Sequence, residues 1–459
     1  MAKIKEGKGI TLVALIITII VLLILAMVSI RLVMNGGIIG RAERGTQAYK
    51  ESEIQEQIKL AYAEWQTAQW TGDAGDATTF IQGRLRISLN DNGLTVIESN
   101  GIFVAKLSNK KQYIYDSKAG VMLNEVPVSA YPTATAGTVR TENSKYISNG
   151  KTAVIPAGYT VSEVSTEQSI DNGLVIKKDG NEWVWIPVSN GDFAVMFGTA
   201  SDDGWIMSET TDIKTKYKSL GGRISDPKGS ISRVNPGDAS SYREPDTVVA
   251  SVTLYDNVEA NWTAAGFTSF LGMAEGLRND YKAMMDSVKK NGGFYIGRYE
   301  LSSAGTKKNQ ASLTDTNWYN LYKKCKDIDS TGVETRMIWG CQWDQVCKFI
   351  STSGDQVNLT DSRSYGNYSN STSPANEGNY SQEQKQNTGS NEAWKTNNIY
   401  DIAGNCWEWT QEAVGTFGRA NRGGSYDNYG VNSPVTYRGG DSPTDSYNYF
   451  SSRPVLYVI

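Results

Sequence analysis

The apolar and polar residues of this chain follow several different patterns along its length. Residues 10–30 form an apolar run of 21 positions without a charged side chain. As a helix the run would be about 31 Å long, which is enough to cross a bilayer. Ile54, Ile58, Ala61, Tyr62 and Trp65 then recur at helical spacing among Glu, Gln and Lys. The two patterns predict a transmembrane and amphipathic helix over residues 10–72, broken or bent near Gly36, Gly37 and Gly45.

Shorter, alternating patterns follow this helix. Residues 73–127 predict a small β domain, in which 101–107 and 112–115 would form a hairpin. Residues 128–150 are rich in Thr, Ala, Ser and Pro without apolar periodicity, which predicts a linker. From 151 to 459, short apolar and aromatic runs alternate with Gly, Asn and Asp turns, as is typical of a loop-rich α+β domain. Within it, 336–350 is the best helix candidate and 366–391 predicts a mobile insertion loop without an assigned function.

Composition excludes several classes of function. The 459 residues carry a formal net charge of −4 and no basic patch, so we expect no nucleic-acid partner. The absence of His excludes Ser-His-Asp and Cys-His catalysis and His-ligated zinc or haem. The four cysteines include no CxxC pair, which argues against a thiol redox motif or a Cys-rich zinc site, and leaves open whether Cys341 and Cys347 pair.

The N-terminus predicts a membrane anchor. Residues 1–9 form a basic leader with Lys3, Lys5 and Lys8, so the positive-inside rule keeps the N-terminus cytoplasmic and the rest of the chain extracellular. The apolar run is longer than a signal-peptide core, and no A-x-A-like site follows it. These features favour a retained single-pass anchor at the cell surface over a cleaved signal peptide.

Gly9 followed by Ile10, Thr11, Leu12, Val13 and the apolar run resembles the type IV prepilin signal. The resemblance implies cleavage between Gly9 and Ile10 by a prepilin peptidase, a pilin-like stalk, and pilus subunits as partners. The sequence departs from that family at Ala14, where pilins usually carry Glu, and this departure weighs against assembly into a filament.

Three segments of the large domain resemble the formylglycine-generating enzyme group. They are residues 181–188, residues 293–300 and the signature-like Asn398–Thr410, followed by 422–426 and a closing strand at 452–458. The resemblance covers most of residues 151–459 and implies a variant of the C-type lectin fold. Enzymes of the group bind copper through two cysteines soon after the motif that corresponds to residues 422–426. Residues 422–434 contain no Cys, and Asn428 stands near the first position, so we expect neither copper nor enzymatic activity.

The same resemblance implies a structural calcium ion. Asp401 and Glu408 would supply side-chain oxygens, and Gly404 and Cys406 backbone carbonyls. Hard cations favour such an all-oxygen set. Alternatively, Asp401 caps a turn and Glu408 pairs with an arginine. Cys406 is expected to be a buried small hydrophobe, and Trp407 and Trp409 are expected to anchor the core.

Residues 425–450 have an unusual composition. Ser, Tyr, Asn, Asp and Gly dominate, and Lys, Glu, Gln, Met and Trp are absent. Those five are the residues that an Asn codon cannot reach when only its adenines change. The segment therefore resembles the variable region of target proteins of diversity-generating retroelements, although any loop rich in Tyr, Ser and Asn could share this composition.

The mixture suits molecular recognition, since Tyr gives rigid contact area and Ser, Asn and Gly give adaptable hydrogen bonds. We expect Gly423, Gly424, Pro434, Pro443, Arg453 and Pro454 to be scaffold. The predicted ligand contacts are Tyr426, Asp427, Asn428, Tyr429, Val431, Asn432, Tyr437, Asp441, Ser446, Tyr447, Asn448, Tyr449 and Phe450.

The favoured hypothesis is a non-catalytic adhesin that displays a diversified C-type-lectin-like surface on a pilin-like membrane anchor. Its ligand would be a protein or glycan on another cell, a phage or a host surface. Two alternatives remain at this point: a structural minor pilin without a specific ligand, and a divergent enzyme of the formylglycine-generating type.

Overall fold

The computed structural model describes residues 38–72, 75–197, 242–243, 253–372, 384–414 and 418–459. The chain divides into two compact units, Met1–Val126 and Pro127–Ile459. The predicted membrane span at 10–30 and the processing site at Gly9 and Ile10 lie outside the described residues. Among the described helices, none combines the length and apolar character that crossing a membrane requires.

The first unit combines two helices with an antiparallel sheet. Helix α1 is Ile38–Thr71 and α2 is Ala77–Ser88, which begins after Asp76, whose carboxylate accepts a hydrogen bond from the Thr79 amide at 2.9 Å. The sheet follows the order β1 (Thr95–Ser99), β2 (Ile102–Lys106), β3 (Gln112–Asp116) and β4 (Val121–Leu123). The predicted hairpin at 101–115 is therefore confirmed as β2 and β3.

The predicted apolar stripe of α1 packs on this sheet. Ile58 and Ala61 are buried, and the Tyr62 ring lies 5.3 Å from both Phe103 and Tyr115. Burial of one face explains why the helix forms among so many charged residues. Gly45 lies inside α1, so the break expected there is absent.

The second unit contains a mixture of short strands and helices. Its elements are β5 (Ser144–Ser148), β6 (Lys151–Ile155), β7 (Thr160–Val161), β8 (Val175–Lys178), β9 (Asn181–Pro187), α3 (Asn190–Phe197), β10 (Tyr242–Arg243), α4 (Glu259–Ala264), α5 (Phe270–Asn291), β11 (Gly293–Gly297), α6 (Trp318–Lys326), β12 (Val333–Met337), α7 (Gly340–Thr352), β13 (Lys395–Thr396), β14 (Ile399–Tyr400), β15 (Trp407–Val414), β16 (Gly418–Arg422), β17 (Arg438–Asp441), β18 (Phe450–Ser452) and β19 (Pro454–Val458). Both units thus belong to the α+β class that the sequence predicts.

Two sheets position the C-terminal segment. The larger has the strand order β12-β19-β11-β9-β8-β7, so the closing strand β19 lies between β12 and β11. All five residues of β19 are buried, as in a strand covered on both faces. The smaller sheet has the order β10-β15-β16-β17, and β18 pairs in parallel with β15. The chain between β16 and β18 therefore starts and ends beside β15.

The structure departs from the predicted linker at residues 128–150. Strand β5 pairs with β6 from Ser144 opposite Ile155 to Ser148 opposite Lys151, and Tyr131 and Ala134 are buried. Residues 128–150 show no apolar periodicity because only a few of their side chains face the core.

Two further predictions need correction. The helix expected at 336–350 begins only at Gly340, because Arg336 and Met337 pair with β19 as the end of β12. Of the loop expected at 366–391, residues 373–383 lie outside the described residues, but Asn367 and Tyr368 at its start are fully buried. A mobile loop was thus the wrong prediction for that start. All four cysteines are buried and none of them forms a disulfide bond, so Cys341 and Cys347 are not joined to each other.

Candidate functional site

The candidate site is built from two loops between β16 and β18. Loop A is residues 425–434 and loop B is residues 442–449, with β17 between them. Gly423 and Gly424 start loop A with φ of +87° and +76°, a region that favours glycine. A Cβ on Gly424 would also lie 2.4 Å from the Ser433 carbonyl oxygen. Both glycines are therefore needed for the turn.

Buried side chains donate hydrogen bonds to the backbone carbonyls in and beside loop A. The Tyr368 hydroxyl is 2.6 Å from the Gly423 carbonyl oxygen and 3.0 Å from that of Ser433, the two ends of the loop. The Asn428 carbonyl accepts from the Ser369 amide at 3.0 Å and from its hydroxyl at 2.9 Å. Residues 368–369 thus support loop A, a role that sequence reasoning missed. An aromatic residue within a polar, Asn-rich segment was the available signal.

Loop B is held mainly through its backbone carbonyls. That of Pro443 accepts from the Trp318 amide at 3.1 Å, and that of Tyr447 from the Asp315 amide at 3.1 Å. The Asn448 carbonyl accepts from the Lys385 ammonium group at 3.0 Å, and the Tyr449 carbonyl from the Trp407 amide at 2.8 Å. These bonds do not depend on the side chains of loop B, so the side chains can differ without moving the loop.

Aromatic side chains connect the two loops at the surface. The rings of Tyr447 and Tyr449 stack at 5.2 Å with an interplanar angle of 11°. The Asn448 side-chain amide lies 3.4 Å from the Tyr426 hydroxyl, which joins loop B to loop A. Tyr437 packs against Trp407 with ring centroids 5.4 Å apart. Stacked tyrosines of this kind form a firm, partly apolar contact area.

Twelve of the thirteen predicted contact residues reach the solvent. The exposed ones are Asp427, Tyr429, Val431, Asp441, Ser446, Tyr447 and Asn448, and the half-buried ones are Tyr426, Asn428, Asn432, Tyr437 and Tyr449. Of the five tyrosines in this set, Tyr429 and Tyr447 are the most exposed, with 54% and 47% of their surface accessible.

Phe450 is the exception, and its prediction as a contact residue was wrong. Its side chain is 3% exposed and lies 4.7 Å from the Trp409 ring. Phe450 begins β18 opposite Trp407, and the strand turns the side chain into the core. All six predicted scaffold residues are buried: Gly423, Gly424, Pro434, Pro443, Arg453 and Pro454.

A buried ion network lies under the loops. Asp344 on α7 pairs with Arg422 at 2.9 Å and with Arg438 at 2.7 Å, and Arg438 also pairs with Glu412 at 3.1 Å. Arg438 is the single basic residue of segment 425–450, and it points inward. The network ties β15, β16 and β17 to α7. Sequence reasoning missed this role because the pairing residues are far apart in the chain.

A second buried group involves the predicted calcium ligands. Both carboxylate oxygens of Glu408 accept from the Arg453 guanidinium group, at 2.6 to 3.0 Å, and Arg453 also donates to the Gly297 and Tyr400 carbonyls. Asp401 accepts through Oδ2 from the Thr388 hydroxyl at 2.9 Å and the Gly389 amide at 2.8 Å.

One of the two side-chain ligands of the predicted calcium site, Glu408, does not fit that role. Arg453 engages both Glu408 oxygens and already neutralises that carboxylate, while Asp401 Oδ1 is the buried oxygen that lacks a partner. In the part of the chain that the structure describes, no three acidic or Cys side chains cluster in a way that could hold a metal. The geometry matches the alternative in which Glu408 pairs with an arginine.

Burial perturbs the acid groups of this region. Burial raises the pKa of Asp401 to about 6, and raises that of Glu408 to about 7 although Arg453 opposes the shift. Burial and the charges of Asp401 and Glu408 raise the pKa of the neighbouring Glu300 well above its ordinary value. Three carboxyl groups thus share the charge of Arg453 in an interior where ionisation is costly.

Three of the four cysteines are held as unreactive thiols. Burial raises the pKa of Cys325, Cys347 and Cys406, and so disfavours the reactive thiolate. Cys406 is fully buried, as expected of a small hydrophobe, and Trp409 is fully buried in the core. Trp407 is half-buried and supports Tyr437 instead.

No protein-family model matches this chain, and no curated protein matches it. Among solved structures, the Major Tropism Determinant U1 variant is 13% identical, with a TM-score of 0.25 over 82% of this chain and 88% of that chain. Treponema denticola variable protein 1 is 15% identical, with a TM-score of 0.21 over 69% of this chain and 99% of that chain. CarF is 14% identical, with a TM-score of 0.25 over 36% of this chain and 87% of that chain. TM-scores below 0.5 do not establish a shared fold or function, so the functional argument depends on the geometry of the two loops.

Proposed function

We propose that this chain is a non-catalytic ligand-binding protein whose segment 425–450 is a diversified surface on a C-type-lectin-type domain. One observation carries the proposal. In this segment the backbone is fixed by buried groups, as at Gly424 and in the carbonyl bonds of loop B, while the Tyr, Asp, Asn and Ser side chains, except that of Ser425, are exposed or partly exposed. A surface that must vary without unfolding requires this separation.

The chemistry of the exposed side chains supports binding rather than catalysis. Tyrosine supplies large contact area with little loss of conformational entropy, and Ser and Asn adapt their hydrogen bonds to different partners. Tyr429 and Tyr447 each expose about half of their surface, and Tyr447 also stacks on Tyr449. Three tyrosines on one surface are a high aromatic content for a face that contacts only water. The ligand would be a protein or glycan on another cell, a phage or a host surface.

The N-terminal sequence supports a position at the cell surface. The apolar run at 10–30, its basic leader and the prepilin-like junction at Gly9 and Ile10 would anchor the protein with the large domain outside. Prepilin peptidase and pilus subunits are the partners that this anchor would use. The described α1 would continue the anchor as a stalk.

Sequencing the 3′ end of the gene in many sibling isolates of one strain tests the proposal. We expect substitutions at the exposed positions, such as Tyr429, Tyr447 and Asp441, that correspond to changed adenines in the parent template. Gly424, Arg438 and Phe450 should stay constant because their side-chain positions are buried or required by the turn. An invariant segment, or substitutions spread evenly over the domain, would contradict diversification and leave a fixed structural or binding surface.

A further inference from the structure

The exposed face of the two loops carries negative charge as well as tyrosine. Asp427 and Asp441 are exposed and Asp445 is half-buried, while the single arginine of the segment, Arg438, is buried in its ion network. Asp315, whose amide holds loop B, adds a fourth carboxylate at the edge. We call this set of four carboxylates and the tyrosines 426, 429, 437, 447 and 449 the acidic tyrosine surface.

The carboxylates lie close enough to the rings to act on them. Burial, Tyr447 and the charges of Asp427, Asp441 and Asp445 all raise the pKa of Tyr449. Burial and the charge of Asp441 likewise raise the pKa of Asp445, a cost that a cation nearby would remove. Three of the four carboxylates therefore act on Tyr449, one ring of the stacked pair.

Neutral donors are the partners of these carboxylates. Asp427 accepts from the Ser425 hydroxyl at 2.5 Å, and Asp441 accepts from the Asn421 side-chain amide at 2.6 Å. The lysine described beside loop B, Lys385, donates to the Thr314 hydroxyl at 2.6 Å and to the Asn448 carbonyl. Among the described residues, no ion pair neutralises Asp427, Asp441 or Asp445.

We propose, on the basis of the proposed function, that the acidic tyrosine surface of this variant binds a cationic segment of a protein, rich in arginine and lysine. Arginine stacks its planar guanidinium group on tyrosine rings and donates to carboxylates at the same time, so one side chain satisfies both features. An anionic partner would meet like charges at each of the four carboxylates, which costs affinity and slows association. A neutral glycan could donate hydroxyl hydrogen bonds to the carboxylates but would supply no positive charge to balance them.

Binding of two peptides of equal length to the full chain tests this inference. One peptide alternates Gly with Arg and the other Gly with Glu, and affinities are measured at low and at high salt. We expect the Arg peptide to bind about tenfold or more tightly, with a marked loss at high salt. Replacing Asp427→Asn, Asp441→Asn and Asp445→Asn together should lower its affinity about tenfold.

A matched variant separates the surface from overall charge. Glu259→Gln, Glu275→Gln and Asp286→Asn remove the same charge from exposed positions on α4 and α5, and should leave peptide affinity within about twofold. Melting temperatures of both triple variants exclude unfolding as the cause of any loss. Equal loss in both triple variants, or equal affinity for both peptides, would overturn the inference.

One experiment separates a wrong partner class from a complete absence of ligand binding through these loops. A random peptide library selected on the full chain and on a Tyr429→Ala, Tyr447→Ala variant gives the distinction. Peptides that are enriched only by the unmodified surface, but are not basic, would overturn the cationic partner and leave ligand binding intact. Identical enrichment by both proteins would contradict binding through these loops altogether.

Discussion

Two polar stretches of the second unit behave in opposite ways. Residues 398–410 and 425–450 are both rich in Asn, Asp and Gly. In the first, Asn398, Asp401, Asn405 and Glu408 are all buried. In the second, most polar side chains face solvent and the backbone makes the fixed contacts. The composition of a polar segment therefore does not say whether its side chains are structural.

The partners of one residue in each stretch explain the difference. Asn405 accepts from the Asn367 amide and the Gln386 backbone, and donates to Glu300 at 2.6 Å and to the Gln386 carbonyl. Each bond would leave a buried group unsatisfied if Asn405 changed, at a cost of about 1–3 kcal/mol per group. Ser446 is exposed, and water can replace any partner it has. The first stretch must keep its residues, whereas the second can exchange them.

The largest expected effect comes from removing the cation of the buried stretch. Arg453→Ala should lower the free energy of unfolding of the second unit by about 3–5 kcal/mol, because it leaves the Glu408 carboxylate buried without its counter-charge. It also removes the donors to the carbonyls of Gly297 on β11 and Tyr400 on β14. Denaturant unfolding of the full chain, followed by tryptophan fluorescence, measures the change.

Arg363→Ala is the matched control, because Arg363 pairs with Asp361 at the surface, with 38% of its side chain exposed. We expect a change of at most about 1 kcal/mol. Similar changes in the free energy of unfolding would mean that the Arg453–Glu408 pair stabilises the second unit no more than a surface ion pair does.

A second prediction compares neighbouring aromatic residues within the variable segment. Phe450→Ala should destabilise the second unit by about 3–4 kcal/mol, since the ring fills the core beside Trp409. Tyr447→Ala, which removes a half-exposed ring stacked on Tyr449, should cost about 1 kcal/mol or less. Thermal unfolding of both variants measures the difference. Equal destabilisation would show that the segment has no division into scaffold and surface.

Sequence patterns predicted the parts of this molecule that depend on local order. The stripe that includes Ile58 and Ala61 and the hairpin of β2 and β3 follow from spacing alone, because each buries one face against its neighbours. The alternation of scaffold and surface in loops A and B was predicted from residue types, since Gly424 and Pro434 suit turns and Tyr suits contact areas.

Long-range pairing could not be predicted in the same way. Tyr368 supports Gly423, which lies 55 residues later, and Arg438 meets Asp344, which lies 94 residues earlier. No local pattern marks such partners, so the sequence of 366–391 predicts a mobile loop although Asn367 and Tyr368 at its start are buried. Phe450 was misassigned for a related reason: its side chain is directed by the pairing of β18 with β15, not by its neighbours in sequence.

A third prediction concerns the pH dependence of the buried acids. The pKa of Asp401 rises on folding from its ordinary value of 3.8 to about 6. The folded state therefore binds its proton more tightly, and its contribution to stability is full below about pH 4 and is lost as the pH rises through 6. We expect the stability of the wild type relative to Asp401→Asn to fall by about 1–3 kcal/mol between pH 4 and 7. Asp441→Asn, which changes an exposed carboxyl group, is the control and should give a difference of less than about 0.5 kcal/mol over the same range.

If the stability of the wild type and that of Asp401→Asn change with pH in parallel, the pKa of Asp401 is not raised in the folded state and the prediction is contradicted. Urea unfolding at half-unit intervals of pH, in buffers freed of divalent ions with a chelating resin, measures the difference independently of such ions.

The smallest expected effect is that of calcium removal. A bound ion would stabilise the native state by mass action, so its removal would lower the melting temperature. Because Arg453 engages both Glu408 oxygens, we expect the melting temperature of the full chain to be the same in EGTA and in millimolar calcium. Glu408→Gln is the second variant to measure. It removes the negative charge that pairs with Arg453, and it also removes the predicted calcium ligand. A drop in EGTA for the wild type that disappears in Glu408→Gln would mean that Glu408 serves calcium as well as Arg453, and that the buried stretch is fixed by an ion in addition to its internal pairs.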